Sequence, residues 1–141
     1  MKNMSQWYPL EGYPYADAQA NARIEKMLDQ IRKINNKDGM SEEAKTNAIR
    51  TIRDEITALS FEYDIRFDCV ISHIDWLYDA DYEAEALSLA EKLFRHLKSM
   101  QKPNRRTLQY ACDRLEELLY ELGGDEELAD EVVLVRARHD I

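Results

Sequence analysis

The sequence predicts an all-α fold, an antiparallel bundle of five to six helices. Apolar residues recur at intervals of three and four along most of the chain, and only four glycines and three prolines interrupt its 141 residues. The one strand-like run, residues 132–135, follows an acidic and capped first turn, which favours a helix there too. Because the connections are short, consecutive helices are expected to be antiparallel.

Residues 1–15 are predicted to be an extended segment, because Pro9 and Pro14 lack a backbone donor and restrict the residues before them. This segment carries four aromatic residues: Trp7, Tyr8, Tyr13 and Tyr15. They either lie across the bundle and cover its core, or they anchor a partner protein, since Trp and Tyr are favoured at interfaces. Residues 16–141 are predicted to form a single helical domain, in keeping with the chain length.

The first helix is predicted over residues 17–36, and residues 35–39 have the composition of a turn. Ser41 is a candidate N-cap, and no Gly or Pro follows it before Pro103. The periodicity therefore favours one long, bent helix over residues 41–78, with two helices meeting near Ser60 as the alternative.

Three further helices are expected in the rest of the chain. Asp79 and Asp81 are candidate caps for the next helix, and Pro103 ends it. Gly123 and its neighbour Gly124 end the following helix, and Asp125 caps the last one.

The formal net charge of −9 is unevenly distributed. Residues 61–90 contain eight acidic residues and one Arg, and residues 111–131 contain nine acidic residues and one Arg. This balance disfavours direct nucleic-acid binding, which needs a basic footprint. It favours a partner protein with a basic surface, although an acidic surface also serves solubility.

An acidic stripe is predicted on the helix that contains residues 61–79. At 100° per residue, five polar side chains fall within an arc of about 80°: Asp64, Asp68, Ser72, Asp75 and Asp79. Like charges one turn apart destabilise a helix by a few tenths of a kcal/mol per pair. Either a Lys or Arg from a neighbouring helix meets the stripe, or water and salt screen it, or the stripe is offered to a basic partner, with a metal site as a further alternative.

Helix direction places two acidic corners, residues 79–85 and 123–131, at one end of the bundle. A basic corner with Lys98, Lys102, Arg105 and Arg106 is expected at the opposite end. The candidate partner-binding residues combine the acidic stripe, the acidic corners and the aromatic segment. They are Asp64, Asp68, Asp75, Asp79, Asp81, Glu83, Asp125, Glu126, Glu127, Trp7, Tyr8, Tyr13 and Tyr15.

No catalytic residue, metal or cofactor is predicted. Cys69 and His73 have a spacing that suits zinc, but no second pair accompanies them, so a buried thiol and a core histidine are expected. Two isolated cysteines, no signal peptide and no run of about 18 apolar residues predict a cytoplasmic protein without membrane association.

Two segments resemble known families. Glu126, Glu127 and Asp130, followed by two valines, resemble the second metal-binding helix of MazG-type nucleotide pyrophosphohydrolases, all-α enzymes that bind magnesium through carboxylates. That resemblance implies a magnesium-dependent enzyme, and Glu116, Glu117 and Glu121 come closest to the family's first element. Residues 77–86 and 119–128 loosely resemble each other and tetratricopeptide-like repeats, which implies helix-hairpin packing.

These observations favour a non-enzymatic interaction protein whose acidic face occupies a basic, nucleic-acid-handling surface of a partner. Nuclease immunity proteins and phage anti-defence proteins, including anti-CRISPR proteins, are analogous in being small and acidic. The alternatives are a helical adaptor or chaperone with an apolar groove, and the MazG-like enzyme. The long helix also allows a homodimer through a coiled-coil-like seam.

Overall fold

The computed structural model describes residues 15–141, and all its regular elements are α-helices. The helices are α1 (Tyr15–Asn35), α2 (Glu42–Tyr63), α3 (Phe67–Asp79), α4 (Glu83–Ser99), α5 (Arg105–Leu122) and α6 (Glu126–His139). The all-α prediction is thereby confirmed. No helix of the described region has the length and apolar character needed to cross a bilayer. Helix α1 already begins at Tyr15, while Trp7, Tyr8 and Tyr13 lie outside the described residues.

The chain divides into two compact units, one ending at Phe67 and the other beginning at Asp68. In the first unit α1 packs against α2. In the second unit α4 packs against α5, which also packs against α6. The single domain expected over residues 16–141 stays a prediction.

The preference for one long helix over residues 41–78 is wrong, because the helix ends at Tyr63 and a new one starts at Phe67. Asp64 and Arg66 both adopt left-handed backbone conformations, with φ of 52° and 53°. Asp tolerates this conformation better than most residues, since its short polar side chain bonds locally. Ile65, between them, is buried, so the break turns an apolar side chain inward without needing Gly or Pro.

The break is held within the first unit by hydrogen bonds. The amide of Ile65 donates to the carbonyl of Ser60 over 3.1 Å. The Arg66 guanidinium donates to Asn21 Oδ1 at 3.0 Å and to Glu25 Oε2 at 2.5 Å, both on α1. These charge-assisted bonds offset the cost of a left-handed arginine, about 1–2 kcal/mol.

The N-caps predicted at Ser41 and Asp125 form, and α5 has a further N-cap that was not predicted. Ser41 accepts the amide of Ala44 at 3.1 Å, and Asp125 accepts two amides at the start of α6. Asn104 caps α5 in the same way. The cap predicted for α4 is wrong, because Tyr82 occupies that position without a side-chain bond and Asp81 takes a left-handed turn conformation instead.

The core of the second unit is built from the apolar faces of its helices. Phe94 and Leu93 of α4, Leu108 and Leu115 of α5, and Val132 of α6 are fully buried. The two segments that resemble each other, residues 77–86 and 119–128, each span a corner between two helices of this unit.

Helices α3 and α5 run in the same direction. Asp75 pairs with Arg114, and further toward the ends of both helices Tyr78 pairs with Glu121. The acidic corners that follow these helices therefore lie at one end of the unit, as predicted. The basic corner lies at the start of α5, about 27 Å away along its 18 residues. Glu131, the last residue of the corner at 123–131, does not share its acidic surroundings, because it pairs with the basic residues Arg95 and Lys98 of α4.

Candidate acidic binding cleft

One edge of α3 is acidic. Asp68, Ser72, Asp75 and Asp79 succeed one another at intervals of four, three and four residues, so they share one side of the helix. The opposite side is buried, which leaves this edge as the polar side of the helix. Asp64 does not belong to it, because Asp64 is the C-cap of α2.

A matching edge of α5 carries Arg114, Glu117 and Glu121. The intervals of three and four again place these side chains on one side of the helix. Leu118, between them, is buried. The pairs formed with α3 show that this edge of α5 lies alongside the acidic edge of α3.

The two edges enclose a cleft of about 410 Å³. Its lining residues come from both helices: Ile74, Asp75, Tyr78, Asp79, Arg114, Glu117, Leu118 and Glu121. Ile74 and Leu118 are buried, so they provide an apolar floor. Five of the eight lining residues carry charge, which makes an ionic ligand a better match for this cleft than an apolar one.

Arg114 is the cation of the cleft, and Asp75 holds it. The guanidinium donates from Nε to Asp75 Oδ1 at 2.7 Å and from a second nitrogen to Oδ2 at 3.1 Å. Such a two-point contact fixes the orientation of both groups. It also raises the pKa of Arg114, against the opposing effect of partial burial. At Asp75 the acidic stripe is thus met by an Arg from a neighbouring helix, which is one of the alternatives predicted from the sequence.

Tyr78 forms the second contact across the cleft, donating its hydroxyl hydrogen to a carboxylate oxygen of Glu121. This bond raises the pKa of Tyr78, and the nearby charges of Glu83 and Asp79 add smaller contributions. The phenol is therefore a neutral donor at physiological pH, and Glu83 at the start of α4 contributes to the field at the cleft.

The remaining two carboxylates, Asp79 and Glu117, are both exposed. Neither forms an ion pair or a hydrogen bond with another side chain among residues 15–141. With four carboxylates and one guanidinium, the cleft carries a formal charge of −3. A cationic group on an aliphatic stem fits it, because the stem can lie on Ile74 and Leu118 while the charge meets the carboxylates.

Other acidic residues of the second unit are neutralised internally. Arg136 binds Asp113 at 2.6 Å and Glu116 at 2.5 Å, and Lys98 binds Glu131 at 2.9 Å. Glu116 was one of the carboxylates nearest to the MazG-type first element. These pairs join neighbouring helices, so those carboxylates contribute to the fold.

The predicted site residues therefore separate into groups. Asp75 and Asp79 line the cleft, Asp68 lies on the same edge of α3, and Glu83 lies close by. Asp125 uses its carboxylate to cap α6, and Glu126 and Glu127 are exposed in the next turn. The sequence reasoning missed Arg114 and Tyr78 and left Glu117 and Glu121 out of the site. The spacing of residues 114, 117 and 121, together with the direction of the helices, was the signal that could have found them.

Cys69, Cys112 and His73 are all buried. Burial raises the pKa of the Cys112 thiol to about 11, so it stays protonated and unreactive. His73 packs its ring against Trp76, with centroids 6.0 Å apart. Within residues 15–141 no three His, Cys, Asp or Glu side chains form a group that could hold a metal ion.

No protein-family model, curated protein or solved structure matches this chain.

Proposed function

We propose that this chain is a non-enzymatic binding protein whose α3–α5 cleft receives a Lys or Arg side chain from a basic surface of a partner protein. By covering that surface, it blocks a nucleic-acid-handling partner. The observation that carries the proposal is the convergence of four carboxylates over an apolar floor with a single cation among them.

The availability of the carboxylates supports the proposal. Asp75 and Glu121 already have donors inside the cleft, so they position Arg114 and Tyr78. Asp79 and Glu117 accept no such bond from another described side chain and are free to meet an incoming cation. Charge-assisted bonds to a carboxylate are stronger than neutral ones, and the flanking Glu83 adds attraction at longer range.

The acidic edge of α3 supports a contact with the partner that extends beyond the cleft. From Asp68 to Asp79 it extends about 16 Å at 1.5 Å per residue. A protein surface that handles nucleic acid carries Lys and Arg along a comparable path, because it neutralises successive phosphates. The edge and the cleft together offer a complementary series of negative charges.

The test is a pull-down from the native host at low salt, eluted with a salt gradient and analysed by mass spectrometry. The wild type is compared with Asp79→Asn/Glu117→Gln, which removes two charges and leaves the internal bonds intact. A matched control, Glu55→Gln/Glu62→Gln, removes two exposed charges from α2. We expect a basic protein captured by the wild type and the control, and released at moderate salt.

The captured protein is then assayed for nucleic-acid binding with and without this chain. Loss of that binding, reversed by Asp79→Asn/Glu117→Gln, supports the inhibitory role. A partner that is captured equally by the wild type, the cleft variant and the α2 control, or that stays bound at high salt, contradicts a role for the cleft.

A further inference from the structure

The outer face of α6 is the second surface that the fold leaves uncovered. Helix α6 packs through Leu128, Val132 and Val135. At 100° per residue, seven consecutive positions around the opposite side fall within an arc of about 140°. They are Glu126, Glu127, Asp130, Val133, Leu134, Ala137 and Arg138, and every one of them is exposed.

Midway along the axis of α6 the outer face is apolar, and this stretch is called its apolar centre. Val133 is 58% exposed and Leu134 is 63% exposed, and Ala137 follows one turn later. Helix α6 packs against α5 through its opposite, buried side. Val133 and Leu134 therefore add little to the packing of α6 within its own unit.

Tyr120 enlarges the apolar centre. This side chain is 91% exposed and lies on α5, four residues after Glu116. Glu116 binds Arg136, so Tyr120 lies one turn further along the edge of α5 that faces α6. Val133 lies about one turn before Arg136 on α6. Since α5 and α6 are antiparallel, Tyr120 and Val133 lie at a similar level along the two helices.

Charge is ordered along the axis of the outer face. Glu126, Glu127 and Asp130 precede the apolar centre, and Arg138 follows it. Among the described residues neither Asp130 nor Arg138 forms an ion pair. A helix that is negative at its beginning and positive at its end complements itself when a second copy is laid against it in the opposite direction.

We propose that the outer face of α6 is a self-association surface, in which two chains pair their α6 helices antiparallel about a two-fold axis. Pairing Asp130 of one chain with Arg138 of the other places Leu134 at the axis, because it is four residues from each. Val133 and Tyr120 then flank the axis on both chains. The same register accounts for the apolar centre and for the order of the charges.

A second copy suits this face better than an unrelated partner, because a single register satisfies both halves with the residues already present. The helix is about 21 Å long, so the contact is smaller than a standard protein interface and the dimer is expected to depend on concentration. The cleft residues of α5 lie on its edge toward α3, whereas Tyr120 lies on its edge toward α6, so this surface is separate from the cleft and from the proposed function.

The first test is sedimentation velocity of the full chain over a concentration series. We expect a monomer–dimer equilibrium for the wild type and a monomer for Leu134→Glu, with unchanged circular dichroism because Leu134 is exposed. A chain that stays monomeric up to about 1 mM overturns the proposal. A dimer that Leu134→Glu leaves intact also overturns it, because the contact then lies elsewhere.

Charge exchange tests the antiparallel register. Asp130→Arg alone and Arg138→Glu alone each place like charges opposite one another in the homodimer, so each variant is expected to be monomeric. Their mixture restores both opposite-charge pairs, so a heterodimer is expected. Arg106→Glu, an exposed change outside the outer face, is the control and should dimerise like the wild type. A mixture that remains monomeric contradicts the register.

Discussion

The two units of this chain differ mainly in how they use charge. The first, through residue 67, contains 11 acidic and 10 basic residues, whereas the second contains 17 acidic and 9 basic residues. Nearly the whole net charge of −9 thus belongs to the second unit. In the first unit Asp29 forms ion pairs with Arg32 and Lys33 within α1, and Arg66 forms one with Glu25 of α1.

The second unit pairs some of its acidic residues and leaves others available. Arg136 and Lys98 neutralise carboxylates that join neighbouring helices. Asp79 and Glu117 remain available at the cleft. The acidic excess in the sequence therefore separates into carboxylates that pair with neighbouring helices and carboxylates without an ion pair among the described residues, and the proposed function rests on the second group alone.

Replacing the most buried aromatic side chain of the second unit has the largest expected effect. Phe94 is completely buried in α4, so Phe94→Ala should lower the free energy of unfolding by about 3–5 kcal/mol. Tyr120→Ala, which truncates an exposed aromatic residue, should change it by no more than about 0.5 kcal/mol. Chemical denaturation monitored by circular dichroism measures both, and equal effects contradict the packing described here.

Removing the cation that joins α5 and α6 has the next largest effect. Arg136→Met leaves Asp113 and Glu116 without their partner and should cost about 1–2 kcal/mol in unfolding free energy. Arg106→Met removes an exposed arginine and should cost less than about 0.5 kcal/mol. The difference between these variants should shrink at high salt, since salt screens exposed pairs. A difference that is absent at low salt contradicts a structural role for Arg136.

Asp125, the N-cap of α6, has a structural role, whereas the proposed function gives Asp79 and Glu117 a binding role. Asp125→Ala should cost about 1 kcal/mol, as should Ser41→Ala at the start of α2 in the first unit. Because the Asp125 carboxylate is occupied by two backbone amides, Asp125→Ala should weaken cation binding less than Asp79→Asn/Glu117→Gln. A peptide titration on the folded variants measures this, and the reverse order contradicts the cleft.

Lowering the pH should weaken the stabilisation that the fold gains from the ion pairs between Glu131 and α4. Its hydrogen bond from Lys98 lowers the pKa of Glu131 below the ordinary value of 4.5, with Arg95 adding to the effect. A carboxyl whose pKa is depressed on folding stabilises the fold above its unfolded pKa, and this contribution is lost as the pH falls through the folded pKa. Glu131→Gln should therefore be less stable than wild type near neutral pH and should approach it as the pH falls below the ordinary pKa of 4.5.

The control for this pH profile is Glu55→Gln, an exposed change in the first unit. Denaturant midpoints measured from neutral to acidic pH should differ from wild type much less for Glu55→Gln than for Glu131→Gln. A gap between Glu131→Gln and wild type that stays constant through the acidic range contradicts the linkage.

The sequence predicted the helices well, because the apolar period and the caps at Ser41 and Asp125 are local signals. The break at Asp64 and Arg66 could not be read in the same way. It depends on an inward-facing Ile65 and on bonds from Arg66 to a distant helix, and neither is marked by Gly or Pro. Periodicity within one segment cannot report such a contact.

Half of the cleft was predictable. The spacing of Asp75 and Asp79 placed them on one edge, and helix direction brought the ends of α3 and α5 together. The pairing of Arg114 with Asp75 depends on the rotation of α5 about its axis, which is set by packing of the whole unit. Sequence spacing defines an edge of a helix, but it does not say which neighbour that edge meets.

The most direct test of the cleft is an NMR titration of the ¹⁵N-labelled full chain with an oligolysine peptide, repeated on Asp79→Asn/Glu117→Gln and on Glu55→Gln/Glu62→Gln. At 16.6 kDa the chain is well suited to this measurement. The account predicts shifts centred on Ile74, Tyr78 and Leu118 in the wild type and in the α2 control, and their loss in the cleft variant. Shifts spread over the acidic residues of both units, or unchanged in the cleft variant, would show that only general acidity attracts the peptide.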